Sequence, residues 1–475
     1  MNTATPDFHL DNPVFKTVSQ AARKLGVKAY VVGGYVRDCL LEKPNDDIDI
    51  VVEGSGPDLA QEVADMLKCR VSIFKRFGTA MVHPKGGAEI EFVGARKESY
   101  TPDSRKPVVE CGSIYEDQLR RDFTINAMSF SLQEEDFGTL IDPFDGVSDL
   151  EKGLIRTPCN PDITYSDDPL RMIRAIRFAT RLGFEIVPES FEAIKRNRGR
   201  LSILSPERVH EEINKILMTD NPSRGFLLLD KSTLLELIIP ALTNLKGVET
   251  LDGRGHKDNF AHTLQVLDNV SRHSDNLWLR WAALLHDVGK ASTKRYDKNL
   301  GWTFHGHEVV GASMVYEIFK YLSLPLNEKM KYVQKLVFLH LRPIALVQDV
   351  VTDSAVRRLL FDAGDLIEDL MTLCEADITS KNEKTVARNL ANFKLVRKKM
   401  LEVEERDRIR NFQPPIDGAL IMKTYGIPPC SEIGQIKEVI KNAILDGEIP
   451  NDYDAAYALM RKVAAEMGLK EVSEA

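Results

Sequence analysis

Paired cysteines are the first thing missing. The six cysteines, Cys39, Cys69, Cys111, Cys159, Cys374 and Cys430, are scattered with no CxxC spacing. That excludes a disulfide-stapled framework and a thiolate zinc site, and predicts reduced thiols. No uncharged apolar run approaches the length that spans a bilayer, and no charged, apolar and small-residue leader opens the sequence. No membrane partner is expected, and the expected location is the cytoplasm. Internal repeats and low-complexity tracts are also absent. So is an excess of positive charge: 63 basic residues stand against 71 acidic ones, net −8. A polyanionic partner would have to be held by local clusters of cations.

What is present is length and a change of pattern. At 475 residues, 43% hydrophobic and 28% charged, the chain is globular and long enough for several domains. Residues 1 to about 150 mix short β-rich runs ("AYVVGG", "IDIVVEG", "TAMVHP", "AEIEFVG") with helical stretches. From "SDDPLRMIRAIRFATRLGF" onward the periodicity is helical, punctuated by Pro188, Pro206, Pro222 and Pro240. The expected fold class is an α+β head, a mixed sheet with helices, followed by an all-α remainder. Two boundaries stand out there, the glycine-rich "LTNLKGVETLDGRGHKDN" and the charged "VRKKMLEVEERDRIRNFQPP".

The chemistry begins in "VVGGYVRDCLLEKPNDDIDIVVEG". Strand alternation puts Asp47 and Asp49 on one face and Ile48, Ile50 and Val52 on the other. Two carboxylates that close repel unless a cation sits between them, and magnesium suits hard oxygen ligands. "AEIEFVG" repeats the alternation with Glu89 and Glu91, either of which supplies a third carboxylate. Gly33 and Gly34 follow a strand and open a helix carrying Arg37, where free N–H groups and the helix dipole favour a phosphate. Phosphate cradle plus metal carboxylates predicts nucleotide phosphoryl transfer.

These residues resemble the class II tRNA nucleotidyltransferases and bacterial poly(A) polymerases, whose head carries GGxVRD followed by a DxD strand. "GGYVRD" (33–38), "DID" (47–49), "RRDFTINAMSF" (120–130), "DPFDGVSDLEKGLIRT" (142–157), "DDPLRMIRAIRFATRLGF" (167–184) and "ERVHEEINKIL" (207–217) follow in the family's order. The resemblance implies that Asp47 and Asp49 hold two catalytic Mg2+ ions. Glu91 is the third carboxylate at the family's spacing before Arg96, with Glu89 the alternative. Arg37, Arg120, Arg121, Asp122 and Asn126 would contact the triphosphate and ribose, Arg121 ahead of Arg120. An RNA 3′-hydroxyl would attack the nucleotide α-phosphate and release pyrophosphate.

"DDPLR" bears on base choice. Asp168 and Arg171 stand three apart at a helix start. A carboxylate accepts from an exocyclic amine and a guanidinium donates to the neighbouring acceptor, an edge that cytosine and adenine share and uracil and guanine reverse. The resemblance gives this template to Asp168 and Arg171. Asp168 before Pro169 is equally an N-cap, and the family more often has Glu where Asp167 stands. Arg171, Arg174, Arg177 and Arg181 then recur at helical spacing, with "KRNRGR" (195–200) beyond them. Beside a base-reading helix start they are expected to meet nucleotide or RNA phosphates.

Seven of the ten histidines lie between His256 and His340, where uniform scattering would place about two. Imidazoles mixed with carboxylates and free of thiolates suit a divalent metal acting on phosphate esters. The segment resembles an HD domain, a helical metal-dependent phosphohydrolase fold. Its ligands would be His262, His286, Asp287 and Asp377. His307 and His340 resemble the extra histidines that let some HD domains hold a second metal. Lys290 in "HDVGK" is either a phosphate contact or a cation at a helix C-cap.

The resemblance thus implies a nucleotidyltransferase head (1–150), a base-selecting neck (151–205), a helical body (206–255), an HD domain (256–385) and a helical tail (386–475) that holds tRNA. The implied activity is building or repairing the 3′-terminal CCA of tRNA from CTP and ATP. An A-adding enzyme or poly(A) polymerase is the alternative within the class, and an HD phosphohydrolase with an RNA-binding head the alternative outside it. The stretch from Glu98 to Arg120 is expected to be a flexible loop governing the switch from C to A.

Overall fold

The computed structural model describes residues 10–75, 78–101, 104–348, 352–379, 382–407, 409 and 413–472. The chain divides into two compact units, Met1–Pro240 and Ala241–Ala475. The division falls inside the segment read as the body.

The first unit opens with helix α1 (Pro13–Leu25), started by the Asn12 side chain accepting from Val14 N and stopped by left-handed Gly26. Its buried stripe, Val14, Phe15, Val18, Ala21 and Ala22, faces the core. Each large side chain so buried contributes about 1.5–3 kcal/mol. Then come β1 (Lys28–Val32), α2 (Gly34–Leu40), β2 (Ile48–Glu53), α3 (Gly56–Leu67), β3 (Arg70–Phe74), β4 (Thr79–His83) and β5 (Ile90–Gly94). The hairpin β6 (Arg96–Thr101) and β7 (Ser104–Cys111) leads to α4 (Ile114–Leu119), then β8 (Ser129–Ser131) and β9 (Leu140–Ile141).

Seven of these strands form one sheet in the order β3-β4-β5-β2-β1-β8-β9. Only β2 and β5 pair in parallel among its described neighbours, with Asp49 beside Glu91. The mixed sheet with helices is the expected head. The predicted loop from 98 to 120 is different: β6 and β7 pair as an antiparallel ribbon and α4 carries a full capping box, Ser113 with Glu116. Residues 102 and 103 lie outside the described residues.

Helices α5 (Gly146–Lys152), α6 (Pro161–Asp167), α7 (Leu170–Leu182), α8 (Pro188–Asn197), α9 (Pro206–Leu217) and α10 (Pro222–Lys231) follow, four of them with proline in the first turn. The stretch beyond the head is mostly helical but not all-α. Leu154–Ile155 pairs in parallel with Glu185–Ile186, and the second unit holds two small hairpins, Thr250–Leu251 with Arg254–Gly255 and Arg295–Asp297 with Gly301–Thr303. Turn chemistry explains the hairpins. Asp252 and Gly253 both take positive φ, and Asp297 Oδ1 accepts from Asn299 N and Leu300 N.

The second unit packs Asn259–Ser271, Leu277–Leu285, His307–Tyr321, Glu328–Leu339 and Ile367–Ala376 around Trp281, Phe319, Leu336 and Leu370. The helices Leu341–Gln348 and Asp353–Ala363, the 25-residue helix Glu383–Asp407 and the shorter helices Gly418–Tyr425, Ser431–Asp446 and Tyr453–Glu466 pack with it. No helix among the described residues is long and apolar enough to cross a membrane.

Candidate functional site

In the head, β2 and its neighbours bring the acidic residues together. Asp49 is in register with Val32 on β1 and Glu91 on β5. Registered residues of paired strands share a face, so Asp49 and Glu91 stand side by side, with Asp47 one pleat before Asp49. Burial, then Asp47, raises the Asp49 pKa to about 6 against the pull of Arg121, and Glu91 adds to the rise. Three carboxylates crowding a half-buried position is a donor set that fits a hard divalent cation. Glu89 lies elsewhere: its Oε1 is 2.8 Å from His83 Nδ1.

Gly33 takes φ 72°, and a Cβ there would stand 3.0 Å from the Arg121 guanidinium and 3.9 Å from Asp49 Oδ2. Only glycine lets the β1–α2 turn come this close to the carboxylates. Buried Arg37 is fixed by Asp38, which accepts from its Nε at 2.7 Å, and it donates to Asn126 Oδ1 at 2.7 Å. Asn126 Nδ2 donates in turn to Asp122 Oδ1 at 3.0 Å, and Arg174 Nη2 donates to Asp122 Oδ2 at 2.6 Å. Burial alone would raise the Asp122 pKa, but Arg174 and Asn126 hold it down at about 2. These groups line one cleft of about 900 Å3 that includes Gly33, Gly34, Asp47, Asp49 and Arg121.

Arg120 and Arg121 divide. Both donate to Asp117, a fully buried carboxylate on α4. Arg121 lines the cleft that holds Asp47 and Asp49, whereas Arg120 lines a second cavity of about 700 Å3 with Asp167 and Arg171.

The expected base-reading pair is engaged within the protein. Asp168 Oδ1 accepts from Leu170 N at 3.2 Å, as an N-cap does, and its Oδ2 accepts from Arg208 at 3.3 Å. Arg171 donates to the Arg120 carbonyl at 2.7 Å. Neither lines the cleft that holds Asp49. The arginine stripe of α7 is therefore not a free cationic face. Arg174 is bound to Asp122, and Arg177 donates to buried Glu212 at 2.5 Å, with its guanidinium 4.1 Å over the Phe178 ring. These pairs tie α7 to the head and to α9. Arg181 is exposed and lines the cleft.

Sequence reading missed Lys43, Asn45 and Lys215, which also line it. Asn45 carried a local signal, since it accepts from Asp47 N at 2.8 Å and donates to Asp38 at 2.7 Å. Lys215 reaches the cleft from α9 and carried none.

In the second unit all six predicted ligands converge. His262 Nε2 lies 2.8 Å from Asp377 Oδ1 and 3.6 Å from Asp287 Oδ2. His286 Nε2 is 3.3 Å from Asp287 Oδ2, and His307 Nε2 is 3.3 Å from Asp287 Oδ1. His340 Nε2 is 3.8 Å from that same Oδ1 and 3.3 Å from His307 Nε2. Asp287 thus stands between His262 and His286 on one side and His307 and His340 on the other.

The outer nitrogens explain the orientation. Nδ1 of His286, His307 and His340 donates to the carbonyls of Ala283, Phe304 and Val337. That leaves the Nε2 of each ring facing inward, the nitrogen a metal would take. Buried His286 Nε2 and Asp287 Oδ1 have no hydrogen-bond partner. Orphaned buried ligand atoms and inward-facing Nε2 atoms form a donor set that fits a divalent cation.

Burial, then His286, pulls His340 down to about 4. Burial alone would lower His286 and raise Asp287, but their mutual attraction reverses both. Lys290 donates to Asp287 Oδ2 at 2.6 Å, so it is a partner of the cluster and not only a cap. Gly289 is required by contact, since a Cβ there would stand 2.2 Å from the His307 carbonyl oxygen.

Three families match the chain in order. They are the Poly A polymerase head domain over residues 29–156, the probable RNA and SrmB-binding site of polymerase A over 183–246, and the HD domain over 259–382. The Multifunctional CCA protein of Shewanella frigidimarina is 33% identical over 377 residues, 75% of this chain and 84% of that protein. The A-adding tRNA nucleotidyltransferase of Deinococcus radiodurans is 31% identical over 363 residues, 74% and 79% of the two chains. Among solved structures, an apo form of a CCA-adding enzyme superposes with a TM-score of 0.63 at 25% identity, over 95% of this chain and 93% of that one. A tRNA nucleotidyltransferase complexed with a primer tRNA and an incoming ATP analog gives 0.58 at 27%, over 81% and 99%. With this head, this order of domains and these relatives, the chain belongs to the tRNA nucleotidyltransferase and poly(A) polymerase family.

Proposed function

We propose that the chain completes or repairs the 3′-terminal CCA of tRNA, taking nucleotides from CTP and ATP. The observation that carries this is Asp47 and Asp49 lining one cleft with the Gly33 turn and Arg121, with Glu91 in register beside Asp49. Asp47, Asp49 and Glu91 would hold two magnesium ions. Bound there, the ions lower the charge barrier to attack by the RNA 3′-hydroxyl and to departure of pyrophosphate. Arg121 and the Gly33–Gly34 backbone receive the triphosphate, while Arg37, Asn126 and Asp122 form a prearranged hydrogen-bonded wall for phosphate and ribose.

Asp168 and Arg171 select cytosine and adenine in this reading. To do so, Arg171 would leave the Arg120 carbonyl and Asp168 would turn from Arg208, a local exchange of hydrogen bonds on nucleotide binding. Arg174 and Arg177 hold α7 in place for that exchange. The tail beyond residue 386 keeps tRNA at a fixed distance.

The HD site is proposed as a metal-dependent phosphohydrolase, with Asp287 bridging the His262/His286/Asp377 and His307/His340 halves. A metal bound there supplies an activated water and polarises a phosphate ester. Lys290 fixes Asp287, and the backbone carbonyls fix the imidazoles.

The distinguishing experiment uses purified protein and tRNA lacking its last nucleotide or its last three. Addition of C, C and A in order supports the reading. Addition of only the terminal A is the outcome expected of an A-adding enzyme, the activity named for the Deinococcus relative.

A further inference from the structure

The HD cleft has a wall that its family match does not contain. A cavity of about 300 Å3 opens on His262, Asp377 and Lys290 and is lined further by Asn259, Asn389 and Phe393. It meets the metal cluster at the His262–Asp377 edge alone, because His307 and His340 are 6% and 1% exposed and do not line it. A substrate reaches the cluster from that edge. Lys290, held on Asp287, marks the inner end of the cavity and supplies positive charge for a phosphate there.

Asn389 and Phe393 belong to the helix Glu383–Asp407, beyond the matched residues 259–382. The helix is pinned where it matters. Arg397 donates to Glu375 at 2.7 Å and to Glu368 at 2.5 Å, both on the helix Ile367–Ala376 that ends beside Asp377. Arg397 thus ties the helix that carries the wall to the helix that ends beside a metal ligand. The side-chain amides of Asn259 and Asn389 carry no hydrogen bond among the described residues. An amide that can both donate and accept, in a cavity also lined by apolar Phe393 and Ile344, suits a group with flat apolar faces and polar edges. A cavity of this size stands at the lower end of the ligand-pocket range, roughly 300–1,000 Å3, which admits one nucleoside-sized group and not a polymer.

We propose that Asn389 is a specificity-determining residue of the HD site. It hydrogen-bonds the organic group of a nucleoside-sized phosphate ester whose phosphate lies at the His262–Asp377 edge beside Lys290. This rests on the phosphohydrolase reading given above. In the hydrolysis a water oxygen bonds to phosphorus, the ester P–O bond breaks, and the alcohol leaves with the proton that the water gave up.

The test uses the full chain loaded with Mn2+, Ni2+ or Co2+ and two chromogenic esters, p-nitrophenyl phosphate and p-nitrophenyl thymidine 5′-monophosphate. Thymine does not match the head's expected C/A-reading edge. Asn389→Ala should raise KM for the thymidine ester about tenfold with kcat within about twofold, and leave p-nitrophenyl phosphate unchanged. Asn389→Gln, which keeps the amide, should recover part of the loss. Calorimetric titration should show thymidine monophosphate weakened by the same factor and inorganic phosphate unaffected. Equal losses on both esters, or none on either, would overturn the role of Asn389 while leaving the hydrolase intact. A wild-type chain that cleaves neither ester with any of the three metals would overturn the hydrolase reading itself, and the proposal with it. Unchanged circular dichroism and unchanged nucleotide addition show that each variant is folded.

Discussion

Asp49 is a side chain that is costly to the fold and, in the proposed function, a ligand of the catalytic metal. Burial and its acidic neighbours raise its pKa to about 6, so the ionised form is the one the metal-free fold disfavours. Its contribution to stability is present below pH about 4, the ordinary carboxylate value, and is lost as pH rises through about 6. A neutral amide in its place would carry no such penalty. In EDTA at pH 7.5, Asp49→Asn should therefore unfold at a temperature a few degrees higher than the wild type, about 1–2 kcal/mol. At pH 4 the difference should vanish, and at every pH nucleotide addition should fall by about a thousandfold or more. Differential scanning calorimetry at the two pH values checks it. Arg174→Ala should do the opposite. It leaves the buried Asp122 carboxylate without its ion-pair partner, still hydrogen-bonded by Asn126, at a cost of about 2–4 kcal/mol, seen as an earlier urea midpoint for the first unit. The Asp47–Asp49–Glu91 face was legible because a period of two needs no partner to be recognised. The pairings of Arg174 and Arg177 were not, since their carboxylates lie 52 and 35 residues away and arrive only with the fold.

At the scale of elements, the stretch after β5 is the instructive case. The sequence predicts a loop there, yet Arg96–Thr101 and Ser104–Cys111 pair over nearly their whole length. The break "TPDS" is a turn signal, but "RKESY" before it has no β-branched residue and "RKPVVEC" after it holds a proline, so the flanking strands were not legible. A ribbon anchored at its base is a stiffer device than a loop, suited to being moved as a unit. Replacing residues 99–108 with two glycines should leave CTP incorporation within about threefold and reduce the ATP step about tenfold or more, read by sequencing-gel extension of tRNA ending in CC. Equal loss of both steps would assign the hairpin to general binding. The histidine segment was the easier reading, because six ligands fall on the ends of helices whose periodicity is visible. The cavity wall from Asn389 and Phe393 was hidden, since residues from 386 onward read as a separate tail and not as part of the HD domain.

For the whole molecule, the clustered head carboxylates lie in the unit Met1–Pro240 and the histidine cluster in the unit Ala241–Ala475. Two sites with separate ligand sets should fail separately. Asp49→Ala should abolish nucleotide addition and spare ester hydrolysis, and Asp287→Ala should do the reverse. A single substitution that removes both activities would contradict independent sites. The central claim is ordered C, C, A addition at the head, and one extension assay tests it most directly. Purified protein is given tRNA lacking its last three nucleotides, with CTP alone, ATP alone, and both. The account predicts growth by two nucleotides with CTP and by three with both. Long adenylate tails, or a terminal A added only to tRNA already ending in CC, would contradict it.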